Sequence, residues 1–145
     1  MMLSEHFATS LSGPAYTRAF KAASTAVLLL IVVQAIRLWG VIWPALNTQG
    51  GWILIGGFFV LLGSYALLLR SRTTIDAEGL RQTGIMDKTV AWSDIKVARL
   101  RGFPFARRLV VSTGYGRLRA FYAGTPELEQ AFARIGAAYA RPAAK

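Results

Sequence analysis

The chain has 145 residues, 54% of them hydrophobic, and a formal net charge of +10. It contains no cysteine, which excludes a disulfide framework and any thiolate metal site. The apolar excess lies almost entirely before Arg70, and the remainder of the chain has the character of a soluble domain of about 75 residues, near the lower size limit for independent folding.

Residues 2–12 place Leu3, Phe7 and Leu11 four residues apart, with Ser4, Glu5 and Ser12 elsewhere. That spacing fits a short amphipathic helix at a membrane interface, and it fits a frayed tail equally well. His6 is the one histidine and has no cluster of possible ligands around it.

Two long apolar runs come next, at about 24–46 and 51–69, joined by the uncharged link 44–50. About 20 apolar residues let a helix cross a hydrocarbon core of roughly 30 Å. The expectation is a transmembrane hairpin over 22–70. The first run is too long for a secretory signal and lacks a small-residue cleavage site after a short apolar region, so it should remain as an anchor. Arg18 and Lys21 precede the runs, and Arg70 and Arg72 lie just after them. The positive-inside rule then puts the 1–21 segment and both termini in the cytoplasm, and Trp39, Trp43 and Trp52 at the outer end as an aromatic belt.

Arg37 is the one charge inside a run. Either its stem snorkels to the outer headgroups, or it meets an acidic residue of another subunit. In the second run Gly56, Gly57, Gly63 and Ser64 recur at spacings of seven and share a face. Such a face serves either close packing of the hairpin on itself or contact with another membrane protein.

After Arg70 the period changes from helical to alternating. Short strands are expected at 73–75, 80–83, 88–92, 95–100, 108–112 and 117–122, with turns at 76–79, 84–87, 93–94 and 113–116. Residues 126–141 form the last element. Thr125 suits an N-cap, Pro126 the first helical position, and Glu127 and Glu129 the positive end of the dipole. Leu128, Phe132, Ile135 and Tyr139 make one apolar stripe, which should cover the sheet.

The fold class is thus a two-helix membrane hairpin and then, over 71–145, a small α+β domain of antiparallel strands with a C-terminal capping helix. The segments Thr74-Ile75-Asp76-Ala77-Glu78-Gly79-Leu80 and Val90-Ala91-Trp92-Ser93-Asp94-Ile95 resemble the paired signature of bacterial pleckstrin-homology-like domains. In those membrane proteins a helical hairpin commonly precedes such a domain. The resemblance spans 24–140 and implies a PH-like antiparallel domain at a bacterial inner membrane. It also implies a role in binding or assembly, not a reaction. About six strands are expected here in place of the family's seven.

No catalytic constellation is visible. One histidine in a tail and no cysteine leave no Ser/His/Asp or Cys/His arrangement, and no phosphate-binding glycine loop is present. The carboxylates of Asp76, Glu78, Asp87 and Asp94 fall in turns. Neither enzyme activity nor a cofactor or metal is expected.

Residues 71–145 carry thirteen Lys/Arg against six Asp/Glu. Nucleic acid is not the expected partner, because no recognition helix or stacking platform accompanies the charge. Lys96, Arg99, Arg101, Arg107 and Arg108 surround Phe103-Pro104-Phe105. This stretch could bind anionic phospholipid, with the arginines at the phosphates and Phe103 and Phe105 below them. It could also be a solvated loop or a protein-binding edge.

Three functions are compatible with this pattern. One is an accessory or assembly subunit that binds another integral membrane protein through Arg37, Gly56, Gly57, Gly63 and Ser64. Another is a lipid-headgroup module acting through 96–108. The third is a homo-oligomeric scaffold paired through open sheet edges.

Overall fold

The computed structural model of the chain describes residues 9–104, 106–114 and 116–140. Among them the chain forms seven strands and four helices. In order these are β1 (Leu11–Pro14), α1 (Arg18–Arg37), α2 (Trp39–Leu46), α3 (Gln49–Arg70), β2 (Arg72–Ile75), β3 (Gly79–Thr83), β4 (Lys88–Ala91), β5 (Ile95–Arg101), β6 (Arg108–Thr113), β7 (Leu118–Tyr122) and α4 (Pro126–Ala138). A 3-10 turn at Trp92–Asp94 joins β4 to β5.

β1 is the main departure from the sequence expectation. Leu11 and Ser12 are extended, not helical, and residues 1–8 lie outside the described residues. β1 pairs antiparallel with β2, Leu11 opposite Ile75 and Pro14 opposite Arg72. Beyond the strand the Ala15 N–H donates to the Ser71 carbonyl at 3.0 Å. The domain therefore has seven strands instead of six, and its first comes from before the apolar helices. The hairpin is an insertion between two paired strands, and residues 11–15 belong to the domain.

α1 opens on Thr17, whose hydroxyl accepts from the Phe20 N–H at 3.2 Å. It does not run through to Leu46 as the apolar pattern suggests. The helix closes at Arg37, Leu38 leaves helical geometry at φ −91° and ψ 10°, and the eight-residue α2 begins at Trp39. Gly40 and Pro44, both poor helix formers, sit just beyond the break. α3 then starts against the end of α2. A Cβ on Gly51 would run into the backbone of Ala45 and Leu46, so only glycine permits this two-residue connection.

α1 has 20 residues and α3 has 22, and both pass the length and composition test for a membrane span. α1 buries no residue and α3 only Gly51. Polar contacts join them at their domain end, where Lys21 Nζ donates to the Leu69 carbonyl at 3.3 Å and the Thr25 and Tyr65 hydroxyls lie 2.5 Å apart.

The seven strands form a four-stranded sheet, β1-β2-β3-β4, and a three-stranded sheet, β5-β6-β7, all antiparallel. Alternation turns Ile75, Leu80 and Val90 of the first sheet inward, and Ala98, Leu109, Val111 and Phe121 of the second. α4 completes the core with Leu128, Ala131, Phe132 and Ile135, and Tyr139 packs at its margin. Thr125 caps α4 by accepting from the Leu128 N–H at 3.4 Å.

Buried polar groups join the sheets. Thr73 Oγ1 donates to the Tyr122 carbonyl at 2.7 Å, and Gln82 Oε1 accepts from the Tyr122 N–H at 3.1 Å. Lys88 Nζ donates to the Ala120 carbonyl at 3.3 Å.

The two signature segments meet. The Trp92 indole N–H donates to the Asp76 carbonyl at 2.9 Å, and Asp76 Oδ1 accepts from the backbone N–H groups of Glu78 and Gly79. A Cβ on Gly79 would collide with the Val90 carbonyl, so the glycine is required by space. Both segments hold the fold.

Candidate functional site

Strand direction sorts the domain's connections into two ends. The hairpin joins β1 to β2, and at the same end lie the β3–β4 turn, the β5–β6 loop and the link from β7 to α4. The β2–β3 turn, the 3-10 turn and the β6–β7 turn lie at the far end.

The basic stretch 96–108 does not act as one unit. Arg99 and Arg101 are two apart on β5, so they share a face, and Arg101 pairs across the sheet with Arg108. Arg99 stands opposite Val110 and so lies diagonal to Arg108. These three arginines, with Val97, Val110, Ser112 and Leu118, border one shallow depression on the outer face of the second sheet. Lys96 is elsewhere: its side chain lies over Gly114 at the far end. Arg107 turns toward α4, with Nη1 3.9 Å from Glu129 Oε2. Phe103 is exposed on the β5–β6 loop, and Phe105 lies outside the described residues.

Like charges directly opposite one another on a sheet repel. Arg101 and Arg108 are such a pair, and a bound anion between them would relieve the repulsion. Arg99 stands one row further from the hairpin.

The helix residues are also placed. Arg37 occupies the last turn of α1, where the negative end of the dipole favours a cation. Trp39 and Trp43 pack tilted against each other one turn apart on α2, their ring centroids 5.4 Å apart, and Trp52 lies exposed in the first turn of α3. A Cβ on Gly56, Gly57 or Gly63 would meet nothing within 4 Å. These glycines do not pack the hairpin on itself. Ser64 instead faces α1 across a cleft that also holds Ser24, Val27 and Tyr65.

Comparison with protein-family models, with curated proteins and with solved structures finds no match. Geometry alone therefore has to indicate the function.

One feature has almost no signature in the sequence pattern. Tyr16 stacks on Phe20 at 5.1 Å and packs against Tyr122 at 5.2 Å, where the hairpin leaves the domain. Ala15, Leu68, Ala106 and Arg107 complete a pocket of about 210 Å³ there. Burial, and secondarily the neighbouring Tyr122, pushes the Tyr16 hydroxyl above its ordinary pKa. The sequence signal is limited to Tyr16 and Phe20, four residues apart at the start of α1, while Tyr122 lies 106 positions beyond Tyr16.

Both edge strands of the three-stranded sheet make hydrogen bonds within the chain. Gln82, Thr73 and Lys88 take the outward backbone groups of β7, and the Ala98 N–H of β5 donates to the Tyr139 carbonyl at 3.4 Å.

Proposed function

We propose that the chain is a non-enzymatic accessory or assembly subunit of a bacterial inner membrane. α1 and α3 cross the bilayer, and a PH-like domain lies on its cytoplasmic face. A four-stranded and a three-stranded antiparallel sheet with a C-terminal helix is the plan of a PH-like domain, which supports the family resemblance. The pairing of β1 with β2 across the hairpin supports both flanks lying on one side, as the charge pattern requires.

The observation that carries the proposal is the open face at Gly56, Gly57 and Gly63. In lipid, helices associate by close backbone approach at small residues, and this hairpin does not use its own glycines for that. Another integral membrane protein or complex is the partner they suit, with Arg37 at the outer end of the same hairpin.

Purification from native membranes in mild detergent tests this. A stoichiometric membrane protein should accompany the wild-type chain and be lost with Gly56→Leu or Gly63→Leu. Both substitutions point into open space and leave the fold intact. An eluate holding only phospholipid rejects the accessory reading.

The arginine face favours a second reading, a module that binds anionic headgroups through Arg99, Arg101 and Arg108. Its binding to anionic vesicles would weaken as salt rises, because exposed charges are screened within about 10 Å at 0.1 M.

A further inference from the structure

Four large apolar side chains of the domain stand exposed among the described residues: Ile85 at 62%, Met86 at 74%, Phe103 at 77% and Leu118 at 72%. Leu118 lies on the outer sheet face. The other three are on the β3–β4 turn and the β5–β6 loop, both at the hairpin end. In the turn 84–87 the two central side chains are both apolar and exposed, which is unfavourable in water.

The turn lies beside the helices. Ile85 lines the cleft between α1 and α3 with Val27, Leu28, Leu61 and Leu68. Met86 borders the adjoining pocket with Leu67 and Tyr16. Apolar side chains of the helices and of the domain tip thus line the same two depressions. Nothing in the core depends on that tip, since Asp87 Oδ1 closes the turn by accepting from the Gly84 N–H at 3.3 Å.

The surrounding charge has one prevailing sign. Arg70, Arg72, Lys88, Arg101 and Arg108 lie at this end. The acidic groups near them are Asp87, already engaged in the turn, and Glu127 and Glu129 at the start of α4, Glu129 facing Arg107. Asp76, Glu78 and Asp94 lie at the far end. An apolar tip ringed by cations, next to membrane helices, matches the layered chemistry of an anionic leaflet.

We propose that Ile85 and Met86 form a wedge that enters the leaflet beside the hairpin, with Phe103 as a second contact. The domain is thereby held with its hairpin end flush on an anionic bilayer. This rests on α1 and α3 spanning the membrane, and it assigns the membrane surface, not a protein, to the β3–β4 turn.

The absence of native cysteine allows a direct test on the full chain. Single variants Ile85→Cys, Met86→Cys, Ser93→Cys and Leu61→Cys are labelled with an environment-sensitive fluorophore and reconstituted in nanodiscs containing phosphatidylglycerol. The expected result is blue-shifted emission at 85 and 86, quenched by spin-labelled lipid and shielded from aqueous iodide, with the reverse at 93. Probes at 85 and 86 that behave like 93, while 61 is quenched by lipid, overturn the wedge and leave the spanning helices standing. A probe at 61 that lipid does not quench overturns the spanning reading and the wedge with it.

Discussion

Tyr122 ends β7 with its backbone turned away from β6, because Leu109–Phe121 and Arg107–Ala123 are the bonded rungs on either side. Its N–H and carbonyl would be orphans at a sheet edge without Gln82 and Thr73, which are 4% and 0% exposed. Both side chains are polar where the surrounding pattern is apolar. Replacing Gln82 with methionine keeps the volume and removes the acceptor, leaving the Tyr122 N–H buried and unsatisfied. The cost is about 1–3 kcal/mol, the usual penalty for a stranded buried donor. Thr73→Val strands the carbonyl instead. Thermal unfolding should show a lower midpoint for each variant. The double variant should be less damaging than the sum, since both groups serve one residue. An unchanged midpoint for Gln82→Met would mean that the two sheets are held by apolar packing alone.

β1 shows most clearly what a four-residue element can contribute. It completes the first sheet, and its removal would expose the edge of β2 and uncover the flank of α4 near Leu128. Residues 71–140 expressed alone should therefore fail to fold cooperatively. Because Ala15 and Ser71 are hydrogen-bonded neighbours, replacing 17–70 with a short Gly/Ser linker should restore a soluble seven-stranded domain. Far-UV circular dichroism and a single thermal transition distinguish the two proteins. A cooperative 71–140 fragment would show β1 to be dispensable.

The same element marks the limit of what was legible in the sequence. The helices, six strands and the stripe of α4 were readable because each carries its own period over several residues. Leu-Ser-Gly-Pro carries none, and its partner lies about 60 residues downstream. The break at Leu38 was hidden because both sides are equally apolar. For the basic site, alternation put Arg99 and Arg101 on one face, but the departure of Arg107 toward Glu129 depends on where α4 packs.

At the scale of the whole molecule, an insertion between paired strands constrains topology in a way that composition cannot. β1 and β2 are adjacent rungs of one sheet, so the chain must leave and re-enter the domain on the same side of any bilayer that α1 and α3 cross. A hairpin satisfies this and a single crossing does not. The helices are about 30 Å long at 1.5 Å per residue, so the link at Asn47 and Thr48 should reach the opposite face. Asn47→Cys should then react with a membrane-impermeant maleimide added to intact spheroplasts. Ser93→Cys, exposed in the 3-10 turn at the far end of the domain, should react only after permeabilisation. Equal labelling of both positions from outside would remove the spanning hairpin, and with it the reason for the tryptophans at its outer end. Labelling of Ser93→Cys alone would invert the molecule, placing Arg18, Lys21, Arg70 and Arg72 against the outer leaflet in defiance of the positive-inside bias. Only the first outcome, Asn47 outside and Ser93 inside, brings the arginine face of the second sheet to the leaflet whose anionic lipids it would meet.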